Sequence, residues 1–218
     1  MVVSSEKLLG RLEDGLAKIH GEFPQDVCEN LIRYLQLLAK WNSAYNLSGI
    51  RDIEKMVPYH LIDSLVIAPF IEDEQNKRIL DVGTGAGIPG IPLAICFPDK
   101  MFGLLDSNGK KTRFLQQVRT ELNLDNVTVF NERIESFQSP EQIDIVLCRA
   151  FAALDKIVEL TSHLMTPGTR ILAMKGQFPE AEIANLPAAF TVKNSFELQV
   201  PGVDGSRFLI EVVSTADL

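Results

Sequence analysis

Short apolar runs alternate with helical patterns over the second two-thirds of the chain. The first run, from Ile79 to Val82, has the length and composition of a buried parallel strand. Four similar runs follow it, and they end at Leu105, Phe130, Cys148 and Met174. Two more runs, over 191–200 and 207–213, are joined by a Pro-Gly turn. This pattern predicts an α/β fold with a doubly wound, mostly parallel sheet of seven strands.

The first third of the chain is helical in pattern. Apolar residues recur at spacings of three and four over 6–19, from Pro24 onward and again over 60–67. We therefore expect an N-terminal helical extension over 1–70, packed on a second domain over 71–218. Four polar residues stand among the apolar positions of this extension and need partners if they are buried, namely Asn46, His60, Asp63 and Ser64.

A glycine-rich loop follows the first strand of the sheet. Gly83, Gly85 and Gly87 alternate with other residues, so the backbone can turn where a side chain would clash. A helix opens at Ile88, and prolines are tolerated there because the first helical N–H groups have no partner within the helix. Strand, loop and helix together predict a ligand held against the helix N-terminus, at the carboxyl edge of the sheet.

The glycine spacing is G-x-G-x-G, which differs from the dinucleotide-binding G-x-G-x-x-G. Asp81 stands two residues before the first glycine, and Asp106 ends the second strand. An acid in the second position can accept hydrogen bonds from both hydroxyls of a ribose. S-adenosylmethionine carries an ammonium and a sulfonium but no phosphate, so it suits both acids better than a pyrophosphate does. The alternative is that the glycines form only the tight turn of an ordinary α/β protein.

Charged residues follow most of the predicted strands, at the edge where such a sheet binds ligands. They are Asp106, Glu135 beside Ile134, Arg149 and Lys175. Arg149 directly follows a buried strand, where an unpaired cation would be costly. It therefore needs an anionic or carbonyl partner, which either the protein or a substrate could supply.

Composition narrows the class of protein. A length of 218 residues with 46% hydrophobic residues suits one α/β domain with a modest extension. Three cysteines without a C-x-x-C pair are expected as buried thiols in a reducing cytoplasm, and the three histidines have no metal-ligand spacing. There is no signal-peptide pattern and no apolar run of membrane-spanning length. We therefore expect a cytoplasmic protein with no metal site and no membrane partner.

The net charge of −8 at pH 7 argues against a protein that coats nucleic acid indiscriminately. This net charge is compatible with a basic surface that covers only a small part of the protein. Four of the candidate residues lie on the predicted helix after the second strand, whose N-terminus shares the edge of the glycine loop. The candidates are Lys110, Lys111, Arg113, Arg119, Lys175 and Arg207.

These segments resemble the RsmG (GidB) family, bacterial small-subunit rRNA guanine-N7 methyltransferases. The likeness covers nearly the whole chain, and the stretches that carry it are Trp41-Asn42, Tyr45–Leu47, His60, Asp63-Ser64, Asp81–Pro92, Leu105–Ser107, Arg149–Ala152, Lys175-Gly176 and Leu198–Gly202. The chain departs from the family at Ala86, where proline is common, and at Cys148, where serine is common. The resemblance implies a Rossmann-like methyltransferase sheet in a cytoplasmic enzyme. That enzyme would methylate one guanosine of 16S rRNA near the decoding centre.

The resemblance also implies partners and site residues. The substrate is expected to be 16S rRNA within the 30S ribosomal subunit or an assembly intermediate, and the enzyme is expected to be a monomer. With the acids and glycines described above, the residues expected at S-adenosylmethionine are Asp81, Gly83, Gly85, Gly87, Ile88, Asp106, Ile134, Glu135 and Arg149. Those expected to serve catalysis are Arg149, Asn46, His60, Asp63 and Lys175.

The residues after the fourth strand bear on the reaction. Methylation of an exocyclic amine calls for an Asn/Asp-Pro-Pro-aromatic clamp there, and the chain has none. Methylation of a pyrimidine carbon calls for an activated cysteine, whereas Cys148 has apolar neighbours typical of an inert thiol. N7 of guanine has a free lone pair and needs no base to remove a proton. Alignment with the methyl donor can then lower the barrier by about 7–11 kcal/mol.

Three other functions are compatible with parts of the pattern. A nicotinamide dehydrogenase would use a similar fold, but the glycine spacing is wrong and no catalytic His or Tyr-x-x-x-Lys pair is present. A small-molecule methyltransferase shares the cofactor half and differs only in its substrate. A non-catalytic rRNA-binding assembly factor would need basic residues but no intact cofactor loop.

Overall fold

The computed structural model describes residues 3–19, 23–73 and 77–217. Within these residues, seven strands form one sheet: β1 (Arg78–Val82), β2 (Met101–Leu105), β3 (Val127–Phe130), β4 (Ile145–Arg149), β5 (Arg170–Lys175), β6 (Phe190–Glu197) and β7 (Phe208–Ser214). Their order across the sheet is β3-β2-β1-β4-β5-β7-β6. The first five run parallel, whereas β7 is antiparallel to both its neighbours. The predicted α/β fold with a mostly parallel, seven-stranded sheet is confirmed.

Helices cover both faces of this sheet. In chain order they are α1 (Ser5–Leu16), α2 (Gln25–Tyr45), α3 (Ile53–Met56), α4 (Asp63–Leu65), α5 (Gly90–Cys96), α6 (Gly109–Glu121), α7 (Leu154–Thr161) and α8 (Glu180–Ala184). A π-helical stretch, Val57–Ile62, joins α3 to α4. Among the described residues, no helix is both long and apolar enough to cross a membrane.

The two faces of the sheet belong to two hydrophobic clusters. In β1, Ile79 lies in the cluster that also contains the apolar faces of α1, α2, α5 and α6, whereas Leu80 and Val82 lie in the cluster with α7. Side chains of a strand point alternately to the two faces of the sheet, and here both faces are buried. The helical extension therefore shares one core with a face of the sheet. The division of the chain at residue 70 stays a prediction.

The elements begin and end close to the predicted positions, with informative exceptions. Arg149 and Lys175 are the last residues of β4 and β5 and still pair with neighbouring strands. The helix after the glycine loop begins at Gly90 and not at the predicted Ile88. The residues before Gly90 form turns, and the Ile88–Pro89 peptide bond is cis. The helical segment predicted over 60–67 begins earlier, at Ile53.

The antiparallel direction of β7 decides where the turn between β6 and β7 lies. Phe208, the first residue of β7, pairs with Lys175, the last residue of β5. The turn over 198–207 therefore lies at the same edge as the carboxyl ends of the parallel strands. This turn also contacts the helical extension, since a Cβ added at Gly202 would lie 3.1 Å from Pro58 Cβ.

Tyr34 attaches the helical extension to the glycine loop. It lies on α2, is fully buried, and its hydroxyl donates a hydrogen bond of 2.8 Å to the carbonyl of Ala86. Its ring packs near Phe114 of α6, with ring centroids 6.4 Å apart. Ala86 lies between the second and third glycines, so α2 holds the loop from behind.

We expect Tyr34→Phe to lower the free energy of unfolding by about 1–3 kcal/mol, because the buried Ala86 carbonyl loses its donor. Tyr45→Phe is the matched control on the same helix. Tyr45 is 46% exposed, and its hydroxyl makes no hydrogen bond within the described residues. Urea denaturation of both variants checks this expectation. Equal midpoints for the two variants would contradict it.

Candidate functional site

Two cavities lie at the carboxyl edge of the sheet. The glycine-loop cavity has a volume of about 390 Å³ and is lined by Gly83, Asp106, Lys111, residues 132–135 and residues 150–152, among others. The arginine cavity has a volume of about 290 Å³, and its lining includes Asp63, residues 148–152, residues 174–176 and Arg207. The segment Ala150-Phe151-Ala152 belongs to both linings, so it forms the wall between the two cavities.

The backbone N–H groups of the glycine loop are taken by oxygen atoms of the chain itself. Five of them donate over 2.9–3.1 Å: those of Gly83 and Thr84 to Leu105, that of Gly85 to the Asp106 carboxylate, and those of Gly87 and Ile88 to Thr84. A pyrophosphate site needs such N–H groups free to point at the phosphate oxygens. The loop is therefore a poor site for a dinucleotide.

Gly83 has no room for a side chain. Its φ is +68°, and a Cβ added there would collide with the ring of Phe151. Gly87 has a φ of +90°, and a Cβ added there would lie 2.7 Å from Leu115 Cδ2. Both positions therefore require glycine for the left-handed backbone and for close packing.

Asp81 lies behind the loop and not in the wall of either cavity. It is fully buried, and its Oδ2 accepts hydrogen bonds from Thr84 Oγ1 at 2.6 Å and from the Gly90 amide at 2.9 Å. Burial raises the pKa of Asp81 to about 6, against the effect of these hydrogen bonds. The first amide of α5 is therefore bonded within the protein, and the expectation that this helix N-terminus faces a ligand stays a prediction.

Asp106 lies in the wall of the glycine-loop cavity and is 7% exposed. Its Oδ1 accepts from the Asn108 amide at 2.8 Å, and its Oδ2 accepts from the Gly85 amide at 3.0 Å and from Lys111 Nζ at 3.3 Å. A carboxylate can accept about four hydrogen bonds, so one further donor can be bound. Lys111, a candidate for the RNA face, is instead bonded to Asp106 inside this cavity.

The structure brings only part of the predicted cofactor set into one cavity. Gly83, Asp106, Ile134 and Glu135 line the glycine-loop cavity. Arg149 lines the arginine cavity. The remaining four line neither cavity, namely Asp81, Gly85, Gly87 and Ile88. The binding roles of all nine stay predictions.

Asp63 organises the arginine cavity. It is fully buried, with Oδ1 accepting from Arg207 Nε at 2.9 Å and Oδ2 lying 2.8 Å from Arg149 Nη2. The same Arg149 nitrogen donates to the carbonyl of Tyr59 at 3.0 Å. The protein thus supplies the anionic and carbonyl partners that Arg149 requires.

Lys175 is held on the opposite side of the arginine cavity. Its Nζ donates to Glu182 Oε2 at 2.7 Å and to the carbonyl of Ala152 at 2.8 Å. Glu182 also accepts a hydrogen bond from the Leu154 amide, at 2.7 Å. These bonds fix the far end of the wall segment between the cavities.

His60 and Asn46 lie outside both cavity walls. His60 is buried, with Nε2 2.8 Å from Ser48 Oγ. Burial and the nearby Arg149 charge lower the pKa of His60 to about 4, so its ring is neutral at pH 7. Their catalytic roles stay predictions.

The expectation that Asn46 is buried among core positions is wrong. Asn46 is exposed and ends α2 in the left-handed conformation, with φ +49° and its side chain bonded to Arg51. The buried amide is Asn42, one helical turn earlier. It donates to the Ile50 carbonyl at 2.9 Å and accepts from the Ser48 amide at 2.8 Å.

Cys148 is buried at the end of β4, and burial raises the pKa of its thiol. The thiol therefore stays protonated and does not serve as a nucleophile, as predicted for an inert buried cysteine. Within the described part of the chain, no group of three or more His, Cys, Asp or Glu residues could hold a metal ion.

Three features of the site were not anticipated from the sequence. They are the Tyr34 hydroxyl behind the loop, Lys111 in the glycine-loop cavity, and Phe151 in the wall between the cavities. Ala150 precedes Phe151 with φ +50°, which is uncommon for a residue other than glycine. An aromatic residue close after a strand end is the sequence signal that could have indicated Phe151.

The family profile of GidB, described as rRNA small subunit methyltransferase G, matches residues 27–210. The chain belongs to this family. A Pseudomonas putida (strain GB-1) protein named ribosomal RNA small subunit methyltransferase G is 48% identical over 199 residues, covering 91% of this chain and 92% of its own length. A protein of the same name from Escherichia fergusonii is 48% identical over 182 residues, covering 84% and 86%. The predicted family is confirmed, and the chain is a methyltransferase.

Solved structures share the fold of this family member. A putative O-methyltransferase from Klebsiella pneumoniae matches with a TM-score of 0.59, covering 94% of this chain and 96% of its own, at 16% identity. A SAM dependent methyltransferase from Aquifex aeolicus matches with a TM-score of 0.55, covering 70% and 90%, also at 16% identity. These likenesses concern the fold alone and confirm the Rossmann-like methyltransferase sheet.

We expect Asp81 to make stability depend on pH. Its pKa is about 6 in the folded protein and 3.8 in a model peptide, so between these values the folded state binds more protons. The free energy of unfolding should therefore fall as pH rises from 4 to 7, by about 2 kcal/mol from this residue alone.

The variant Asp81→Asn cannot ionise, so it lacks this contribution. Unfolding free energies of both proteins between pH 4 and 7 give the difference directly. Asp125→Asn, at an exposed acid, is the matched control. A difference between wild type and Asp81→Asn that is constant with pH would contradict the expectation.

Proposed function

We propose that this chain transfers a methyl group from S-adenosylmethionine to N7 of one guanosine in 16S rRNA. Its substrate is the 30S subunit or an assembly intermediate, and it acts as a monomer in the cytoplasm. The observation that carries the cofactor assignment is the glycine loop, whose amides are already bonded, beside the Asp106 carboxylate. Such a cavity suits a ligand with hydroxyl groups and positive charge and without phosphate.

The residues of the glycine-loop cavity fit S-adenosylmethionine. Gly83 has no side chain that would fill the cavity, and the Asp106 carboxylate can accept one further hydrogen bond, such as that of a ribose hydroxyl. Ile134 supplies a buried apolar contact for a base, and Glu135 adds a negative charge at the rim. When bound, S-adenosylmethionine supplies a methyl group on a positively charged sulfur. The sulfur keeps the electrons of the broken S–C bond and leaves as a neutral thioether.

The lining of the arginine cavity suits a methyl acceptor atom that has no proton to lose. Its charged lining within the described residues consists of Arg149, Lys175 and Arg207, which are donors, and Asp63, which both arginines already engage. None of these is placed to act as a general base. N7 of guanine uses its own lone pair, so the residues need only hold and align the base.

The family relationship supports rRNA as the substrate, in keeping with the names of the relatives. The extension over 1–70 would contribute Asp63 and the Tyr59 carbonyl to the site, and the domain over 71–218 the rest. We keep Arg149, Asp63 and Lys175 as the residues of the acceptor site. Asn46 and His60, outside the cavity walls, would act only through their neighbours.

Methyl transfer from labelled S-adenosylmethionine tests this function. Small subunits and naked 16S rRNA are taken from a strain that lacks the enzyme of this family. We expect label in rRNA, recovered as N7-methylguanosine after digestion to nucleosides. Label at another atom of the nucleoside would reject the N7 assignment, and label only in small molecules would favour the small-molecule alternative.

We expect Asp106→Asn to weaken S-adenosylmethionine binding about 10- to 100-fold, because a ribose hydroxyl loses a charged acceptor. Isothermal titration calorimetry measures this affinity, with thermal melting as the check on folding. Asp125→Asn, an exposed acid outside both cavities, should bind like the wild type. Unchanged affinity in a folded Asp106→Asn protein would remove Asp106 from the cofactor site.

Lys110 and Arg113 lie exposed on α6, beside the glycine-loop cavity, and we expect them to contact RNA phosphates. Each phosphate contact contributes about −0.7 to −0.9 to the slope of log affinity against log salt. The double variant Lys110→Ala, Arg113→Ala should therefore flatten the salt dependence of RNA binding and leave S-adenosylmethionine affinity unchanged. The matched control replaces exposed Lys77 and Lys193. Equal slopes for both double variants would exclude α6 from the RNA interface.

A further inference from the structure

Phe151 stands at the point where the two cavities meet. Its half-buried side chain lines both of them, and its ring packs against Gly83 where a Cβ would collide. One side of the ring thus faces the glycine loop. A flat group placed against this ring in the arginine cavity would lie next to the glycine-loop cavity.

The residues on either side of Phe151 are held in place by contacts of their backbone. Before it, Arg149 still pairs with Met174 in the sheet, and Ala150 takes the uncommon positive φ of +50°. After it, the Ala152 carbonyl is bonded to Lys175. A non-glycine residue persists in this conformation when its surroundings determine it, and such residues cluster at ligand clamps.

The chemistry of the arginine cavity matches the edge of a purine. Arg149 uses Nη2 for both its bonds, so Nε and Nη1 have no partner within the described residues. Arginine N–H groups pair well with the O6 acceptor of guanine. Met174 and Cys148 add apolar surface that suits the faces of a base. The cavity volume of about 290 Å³ suits a single base and not a duplex.

We propose that the arginine cavity receives the target guanine, extruded from the RNA and stacked on Phe151, with O6 toward Arg149. This proposal rests on the proposed function and names the residue that holds the acceptor. Enzymes that modify a base in structured nucleic acid commonly extrude it into a pocket and stack it on an aromatic side chain. Stacking on Phe151 turns N7 toward the glycine-loop cavity, where the methyl donor binds.

Three variants test this role: Phe151→Leu, Phe151→Tyr and the matched control Phe196→Leu. Phe196 is also half-buried but packs against Phe70 and lines neither cavity. For each protein, calorimetry gives the affinity for S-adenosylmethionine, and single-turnover transfer to undermethylated small subunits gives the rate of the reaction. Thermal melting confirms that each variant is folded.

Phe151→Leu should transfer the methyl group about 5- to 150-fold more slowly, because a base loses its stacking partner. Because Phe151 also lines the glycine-loop cavity, its affinity for S-adenosylmethionine should fall as well, but by a smaller factor than the rate. Both readouts for Phe196→Leu should stay within about twofold of the wild type. Phe151→Tyr keeps a ring and should restore most of the rate.

Several outcomes would overturn the proposal. A wild-type rate in Phe151→Leu would mean that the cavity holds a phosphate with its cations and not a base. Equal losses of affinity and rate would place the ring in the cofactor site alone. Equal loss in the leucine and tyrosine variants would exclude stacking. If the wild-type protein binds S-adenosylmethionine but leaves rRNA unmethylated, the proposed function fails, and this proposal fails with it.

Discussion

One buried carboxylate, Asp63, connects the parts of this protein that form the arginine cavity. It belongs to the helical extension, yet it pairs with Arg149 at the end of β4 and with Arg207 just before β7. Loss of one partner from a buried ion pair typically costs about 3–5 kcal/mol, because the remaining charge is left uncompensated. Here one acid balances two cations, so the extension, the sheet and the β6–β7 turn depend on each other. The extension is therefore part of the site as well as of the core.

The glycine loop obtains its specificity in a different way, by leaving few of its donors free. Leu105, Asp106 and Thr84 take its amides, Asp81 takes the first amide of α5, and Tyr34 binds the Ala86 carbonyl from the other side. A loop of nearly the same sequence in a dinucleotide-binding protein presents its amides to phosphate. The identity of the ligand thus follows from which polar groups the protein has already satisfied, and less from the number of glycines.

The strands could be predicted because each is a short apolar run, and the charged residues predicted at their ends do line the two cavities. The need of Arg149 for a partner could also be inferred, but not the identity of that partner, since Asp63 is distant in the chain. The Tyr34–Ala86 bond was not predictable for the same reason, because a tyrosine at an apolar helical position is typical of ordinary packing. Asn46 and Asn42 are both near a helix end, and only the course of the following turn decides which is buried. The π-helical stretch was likewise not indicated by any local pattern, and its Tyr59 carbonyl accepts a hydrogen bond from Arg149, which is distant in the chain.

The antiparallel β7 strand has a consequence for how this architecture can diversify. It returns the β6–β7 turn to the catalytic edge, so Arg207 reaches the arginine cavity from a segment that has no part in the glycine-loop cavity. Outside the shared segment Ala150-Phe151-Ala152, the two cavities are therefore lined by different residues of the chain. Substitutions at this hairpin tip can therefore alter the arginine cavity without changing the lining of the glycine-loop cavity.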